Sequence, residues 1–506
     1  MTNEVQELFQ AKPFYCSIMF DGSTDKTLAE KEVISIKLLQ NGKPTIKVLG
    51  ICEPESGEAD DIKEAIDRKC LDMKLDLSSS CVAVAADGAS VNFGAKGGVL
   101  KKLQNEMPWI KMIHCLAHRL ELALSDAFKE TYYKDTVDDL MMHLYYMYRR
   151  SAKKWKELER LSESMNENIV KPSRSQGTRW IDHRRKALKA LERDYTCLVC
   201  QFEDMASGQR KDIKPADQAK MNGYLKIFKS HKFILHVAAY QDLVEDLASL
   251  SLCLQQDDLA VSNVRTRIEA VCLSLKAKQT QYGRQLRNVI SQTTEENQHT
   301  FRGVTLSSGA NTMTDFAKHH TKLILNIIEC IESRFATFIQ DNILMAADIF
   351  DPANLPTEQG DLATYGNHDV DSLIDHFEHI LSSQCDANAV HGEWMMLKLD
   401  LSKHHKTMTY AAIWEKMFTE KQNLYPNILQ LVQIVLVLPV STSQVERQFS
   451  CIKRILGDWR LNLKLSTMEH LLRICSDGPK PVDFDPLPAV MRWNSSSVCS
   501  RRPDTS

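Results

Sequence analysis

From residue 14 the apolar positions come in short compact runs: "FYCSIMFD" (14–21), "EVISIKLL" (32–39) and "TIKVLGI" (45–51), the last two joined by the turn residues "NGKP". Runs of this length, bounded by turn residues, predict three strands in an antiparallel meander. The next segment, "EADDIKEAIDRKCLDMKL" (58–75), sets its apolar residues at helical spacing, and "CVAVAAD" (81–87) returns to the pattern of a buried strand. A strand, a crossover helix and another strand imply a parallel neighbour in the same sheet. Gly88, Gly94, Gly97 and Gly98 loosen a turn into a helix near 95–105, "WIKMIH" (109–114) suits a further strand, and a helix follows from about 115. The predicted order is β-β-β-α-β-α-β-α.

Beyond that point the period is helical almost throughout, in "VDDLMMHLYYMYRRSAKKW", "KFILHVAAYQDLVEDLASLSLCL" and "TKLILNIIECIESRFATFI", which predicts a helical bundle reaching to about 345. The Pro-, Gly- and acid-rich "DPANLPTEQGDLATYGNHD" (351–369) predicts a loop or linker. Helices resume at "VDSLIDHFEHIL", at "YAAIWEKMF" and around Glu446, and the tail from about 479 has the composition of a disordered segment. No repeat of roughly 20 to 50 residues is visible.

A chain of 506 residues has room for roughly three domains at about 150 residues each. With 43% hydrophobic and 25% charged residues it has ordinary globular composition. The longest apolar run, "ILQLVQIVLVLPV", is interrupted by Gln430 and Gln433 and is shorter than the roughly 18 residues a membrane span needs. The start "MTNEVQELFQ" lacks the basic flank and apolar core of a secretory signal, so the 14 cysteines are expected to be reduced thiols of the cytosol or nucleus. A net charge of −3 gives no hint of a polyanion partner. Local clusters at 148–156, 178–189 and 452–464 mix cations with aromatics, which suits either a nucleic-acid surface or the solvated basic face of a helix.

Asp21 is expected to close the first strand in "IMFDGSTD", and Asp87 the fourth in "AVAADGAS". If those strands are neighbours, both carboxylates emerge at one sheet edge, where a divalent cation would relieve their repulsion. The plainer reading of each Asp-Gly pair is turn chemistry. In "STSQVERQFS" (441–450), Ser443 and Glu446 have the spacing of a capping box at a helix start, though a carboxylate there could also face a metal. Cys115 and His118 in "HCLAH" have an acceptable zinc half-site spacing, and the one candidate partner pair, "CLVC" at 197–200, has the apolar context of a core.

The motifs "MFDGSTD", "VAADGASVNFGAKGGV", "HCLAHRLELAL", "TRW" and "YPNILQLVQIVLVLPVSTSQVERQFSCIKRI", in this order, resemble the hAT superfamily of DNA transposases and its host-gene descendants across most of residues 14–476. The resemblance implies an α/β plus α fold: a ribonuclease H-like mixed sheet interrupted by a large all-helical insertion, with a C-terminal helical dimerisation region. The expected divisions are 14–195 and 406–476 for the two parts of the catalytic core, 196–405 for the insertion, and 477–506 for the tail. It implies Asp21, Asp87 and Glu446 as catalytic, metal-binding acids for Mg²⁺ or Mn²⁺, with no organic cofactor. Arg179 and Trp180 would contact DNA, the indole stacking on a base displaced from the duplex and Arg179 reaching phosphate. Cys115 and His118 would support the acids from behind. Leu431, Ile434, Val435, Phe449 and Ile452 would contribute to the core or to a subunit interface.

By the same resemblance, the metal would activate water to nick a transposon end, and the released hydroxyl would attack the opposite strand. The first strand is expected to begin near residue 14, so the zinc-finger module of fully active members is not expected ahead of it here, and the chain is expected to be a fragment, a truncated copy or a host protein that kept the scaffold. Two functions follow: a transposase-derived nuclear protein with ancestral metal-dependent DNA cleavage and strand transfer, or a catalytically inactive domesticated scaffold that dimerises and binds DNA or protein. The expected partners are DNA and a second copy of the chain, without a membrane, and the expected site is the nucleus, with the cytoplasm as a further one.

Overall fold

The computed structural model describes residues 2–10, 13–24, 30–175, 180–294, 299–381, 385–404, 408–457, 460 and 463–495. Five strands form one mixed sheet: β1 (Cys16–Thr24), β2 (Glu30–Gln40), β3 (Lys43–Cys52), β4 (Cys81–Ala86) and β5 (Lys111–His114). Their order across the sheet is β3-β2-β1-β4-β5. The meander is antiparallel, and β4 lies parallel to β1, as the strand–helix–strand pattern predicts. The helices that bear on the site are α1 (Ala59–Asp72), α2 (Val99–Glu106), α3 (Leu116–Ala127), α4 (Trp180–Arg193), α5 (His231–Leu254), α6 (Thr312–Ile339), α7 (Ile428–Val437), α8 (Ser443–Ile455) and α9 (Leu465–Asp477).

One boundary differs from expectation. β1 runs on through Asp21 to Thr24, because Gly22, Ser23 and Thr24 pair with Glu32, Lys31 and Glu30 of β2. Asp21–Gly22 is therefore strand, not a turn. A Cβ at Gly22 would collide with the Glu32 carboxylate, so the glycine makes room for that side chain. The second Asp-Gly pair does the same work: a Cβ at Gly88 would overlap the His114 ring.

The C-terminal segment closes over one face of the sheet. All ten residues of α7 are buried, and the run-breaking Gln430 accepts a hydrogen bond from Tyr15 at 2.8 Å. Ser35 of β2 donates to Gln448 of α8 at 2.7 Å across 413 positions of sequence, and the buried Lys37 ammonium donates to the Leu438 carbonyl at 2.9 Å. On the outer strand, Arg473 and Glu469 of α9 bond the β3 backbone at Leu49 and Ile51. Most of the rest is helical, as its period predicts: α6 packs along α3, with Asn326 donating to the Ala127 carbonyl at 2.7 Å. Two departures stand out: Thr300–Phe301 and Val304–Thr305 form a small antiparallel hairpin, and the segment expected as a loop at 351–369 holds the short helices Pro352–Asn354 and Gln359–Thr364. Residues 487–495 form a helix with no buried residue.

Among the described residues no helix is long and apolar enough to cross a membrane. The described cysteines are all free thiols.

Candidate active site

Parallel pairing sets the first two acids side by side. Met19 of β1 pairs with Ala85 of β4, so two residues further on Asp21, still within β1, and Asp87, just past the end of β4, stand at the same level and on the same face. The loop after β4 grips Asp87: its Oδ1 accepts from the Ala89 N–H at 3.2 Å and from the Asn92 amide at 2.7 Å. Asp21 Oδ1 accepts from the Gly22 N–H at 3.0 Å.

Two helices wall the space in front of these acids. α8 presents Glu446, Phe449, Ser450 and Lys453, the i, i+3, i+4, i+7 face of one helix, and α3 presents Ala117, His118 and Glu121. With Asp21, Gly22, Ser23, Asp87 and Gln255 they line an open cleft of about 330 Å³. The three acids expected from sequence thus share one cleft, although Glu446 is separated from the others by most of the chain.

The start of α8 is held from outside. The Leu116 N–H donates to the Val440 carbonyl at 3.1 Å, and the Thr442 N–H donates to the buried Cys115 sulfur at 3.3 Å. Cys115 therefore ties α8 to the head of α3, while His118 faces the cleft. Cys197 and Cys200 lie on a separate helix, Tyr195–Ala206. The capping box does not form: Thr442 is the cap residue, with no side-chain cap bond, and Ser443 is already helical, its hydroxyl donating to the Gln255 carbonyl at 3.2 Å. A capping box needs its serine outside the first turn, and the chain enters this helix one residue earlier.

The cleft is electrostatically strained. Burial, with Asp87 and Glu446 nearby, pushes the Asp21 carboxyl up to about 7. Sequence reasoning passed over two further acids: Glu121, which lines the cleft, and Glu32, buried against Gly22 beside it. Burial, followed by Asp21 and Asp87, drives Glu32 up to about 8, and its Oε2 is buried without a hydrogen-bond partner. Burial also pushes Glu121 to about 7; the backbone N–H groups of Trp180 and Ile181 pull it back and Glu446 raises it further. His114, packed beneath Gly88, is pushed down to about 4 by burial and by the positive Arg119, and so is neutral at neutral pH. The polar i+3 position after His118 was the available signal for Glu121, and the cross-strand pairing with Gly22 the signal for Glu32.

Trp180 opens α4 and is 8% exposed. The Arg184 guanidinium lies 3.8 Å from its ring centre and Phe128 is 4.8 Å away. Arg184 in turn binds Asp138 at 2.6 Å, and the Tyr240 hydroxyl donates to the same carboxylate at 3.2 Å. The 178–189 basic cluster is thus partly turned inward, and its Arg185 and Lys189 pair with Glu245. Arg179 lies outside the described residues.

Residues 397–477 match the model of the hAT family C-terminal dimerisation region. The chain carries an hAT dimerisation region. The match supports an hAT-family transposase or a protein derived from one, and it supports self-association. The hAT region contains α7, α8 and α9, so the helix bearing Glu446 belongs to the matched segment, which starts somewhat before the expected 406.

The donor set suits a hard divalent cation, since carboxylate oxygens are its preferred ligands and Asp21, Asp87 and Glu446 repel one another without one. The described residues include no group of three His, Cys, Asp or Glu side chains already gathered at coordinating separation.

Proposed function

We propose that this is an hAT transposase-derived nuclear protein whose cleft binds Mg²⁺ or Mn²⁺ for phosphodiester cleavage and strand transfer in DNA, on a ribonuclease H-like core that pairs through its C-terminal region. The observation that carries this reading is the convergence of Asp21, Asp87 and Glu446 on one cleft, with Asp21 raised by burial and then by its two partners. A bound metal would stabilise the attacking and leaving oxygens of an in-line displacement. Asp87 is oriented for ligation, because one oxygen is committed to Ala89 and Asn92 and the other is left for a ligand. Lys453, on the cleft-facing side of α8, is suited to a phosphate of the substrate strand.

The buried, arginine-capped Trp180 favours a second reading, a domesticated scaffold that dimerises without cutting DNA, because an indole held this way must leave its pocket before it can stack on an extruded base. Titration calorimetry with Mn²⁺ on the wild-type chain and on Asp87→Ala decides between the two. Binding to the wild type that weakens at least about tenfold in the variant supports the metal site; a wild type that takes up no Mn²⁺ overturns it and leaves the scaffold.

A further inference from the structure

We infer that the corner where the helices Asp139–Arg150 and Ala152–Ser164 meet is a DNA-docking surface outside the cleft, gripping the phosphate backbone of a duplex without reading its bases. Such a surface serves either reading above, a cutting enzyme or a scaffold. The structure gives the three sequence clusters that mix cations with aromatics different surroundings. In 178–189, Arg184 is buried against Asp138, and Arg185 and Lys189 share Glu245. In 452–464, Lys453 borders the cleft. The 148–156 cluster lies open, with Arg149, Arg150, Lys153 and Lys156 all exposed. Lys153 pairs with Asp212 at 2.7 Å, but among the described residues no ion pair engages Arg149, Arg150 or Lys156. Three acids of this corner, Glu157, Asp204 and Asp212, converge instead on Arg210.

The aromatic residues of the corner decide what it can hold. The guanidinium carbons of Arg149 and Arg150 lie 5.6 and 4.9 Å from the ring centres of Tyr145 and Tyr146. The exposed Lys171 lies 5.7 Å from the ring centre of Trp155, which also meets the buried Tyr148 at 5.7 Å. These rings therefore carry the corner's own cations, and a stacking base would have to displace them. A guanidinium resting on a ring keeps its edge N–H groups for oxygen acceptors, and part of its side-chain freedom is already lost before docking. Phosphate oxygens match that fork of donors. Arg149 and Arg150 also occupy the last turn of their helix, where the dipole favours positive charge in the absence of a carboxylate. Arg149, Arg150, Lys156 and Lys171 thus form an exposed positive group without acid partners, which suits a row of phosphates and carries no base-reading element.

The test is a salt titration of DNA binding by the full chain, read by fluorescence anisotropy on two labelled duplexes of unrelated sequence. Two double variants are compared: Arg149→Gln with Arg150→Gln, and, as a control that removes the same charge from the paired cluster, Arg185→Gln with Lys189→Gln. Between about 50 and 200 mM KCl, the slope of log affinity against log salt should flatten by about 1.8 in the first variant and by less than about 0.5 in the control. Both duplexes should lose affinity alike. Equal slopes in the two variants overturn the inference, since net charge alone would then account for binding; so does a loss confined to one duplex, or a wild type with no affinity at about 50 mM. Mn²⁺ calorimetry keeps the outcomes apart: a chain that takes up no Mn²⁺ yet shows the expected slopes loses the metal site and keeps this surface. Should the arginine variant not fold, Lys156→Gln with Lys171→Gln replaces it with the same expected flattening.

Discussion

Around Arg184 buried charges of opposite sign meet; in and beside the cleft buried carboxylates of like sign meet. The first group is closed: Arg184 bonds Asp138, Asp138 takes the Tyr240 hydroxyl, and the guanidinium covers the Trp180 ring. Burial pushes the Asp138 carboxyl up and Arg184 pulls it back. The second group is open. Asp21, Glu32 and Glu121 are all pushed upward by burial and by one another or their acidic neighbours, and one oxygen each of Glu32 and Glu121 is buried without a hydrogen-bond partner. The contrast separates a group that holds the fold together from one that the fold tolerates at a cost, as expected where a positive ligand completes the balance.

The largest effect should come from breaking the closed group. Asp138→Ala leaves Arg184 charged and unpaired inside the protein, and chemical denaturation should show a loss of about 3–5 kcal/mol. A loss under about 1 kcal/mol would place Arg184 in contact with water and erase the contrast.

The open group should respond with the opposite sign. The folded state raises Glu32 from an ordinary carboxylate value to about 8, so it holds the proton more tightly than the unfolded chain. Glu32 therefore costs nothing at pH 4, costs progressively more as pH rises through the interval, and reaches its full cost above about pH 8. Glu32→Gln removes the titration and keeps the shape. Its stability should exceed the wild type by about 1–3 kcal/mol at pH 8.5 and match it at pH 4. A variant no more stable than the wild type at pH 8.5 would show that Glu32 has a positive partner. The smallest effect belongs to Tyr240→Phe, which deletes one 3.2 Å bond to Asp138 while Arg184 stays in place, and should cost about 1 kcal/mol by thermal denaturation.

The two groups also differ in how far the sequence disclosed them. The strands around Asp21 and Asp87 were legible because their runs are short, compact and bounded by turn residues, and the strand–helix–strand order implied that β1 and β4 are neighbours. The extension of β1 beyond Asp21 was not, since Asp-Gly is a turn signal and the compensating fact, Glu32 lying over Gly22, is a cross-strand contact. Glu32 itself is the third residue of β2, amid other charges, where a polar residue is ordinarily exposed; its burial and the approach of Asp21 and Asp87 appear only in three dimensions. Glu446 carried two local meanings; the capping box is lost because the helix starts at Ser443 itself, whose hydroxyl bonds Gln255, 188 positions away. Trp180 was found as a motif, but its environment was not, because Phe128, Asp138 and Tyr240 come from three other segments.

The joining of β2 to α8 across 413 positions has a consequence for how the protein is made. At the usual pace of synthesis, roughly 20 to 80 s pass between the ribosome's release of the meander and its release of the helices that cover it. Throughout that interval the sheet face later shielded by α7 and α8 is bare, an invitation to chaperones and to aggregation alike. The acidic cleft does not exist in any nascent chain that stops short of α8, so an incomplete copy carries two of the three acids and no enclosed place for a cation. Completion of synthesis thus acts as a safeguard: whatever chemistry the cleft performs is withheld until the last helices have left the ribosome.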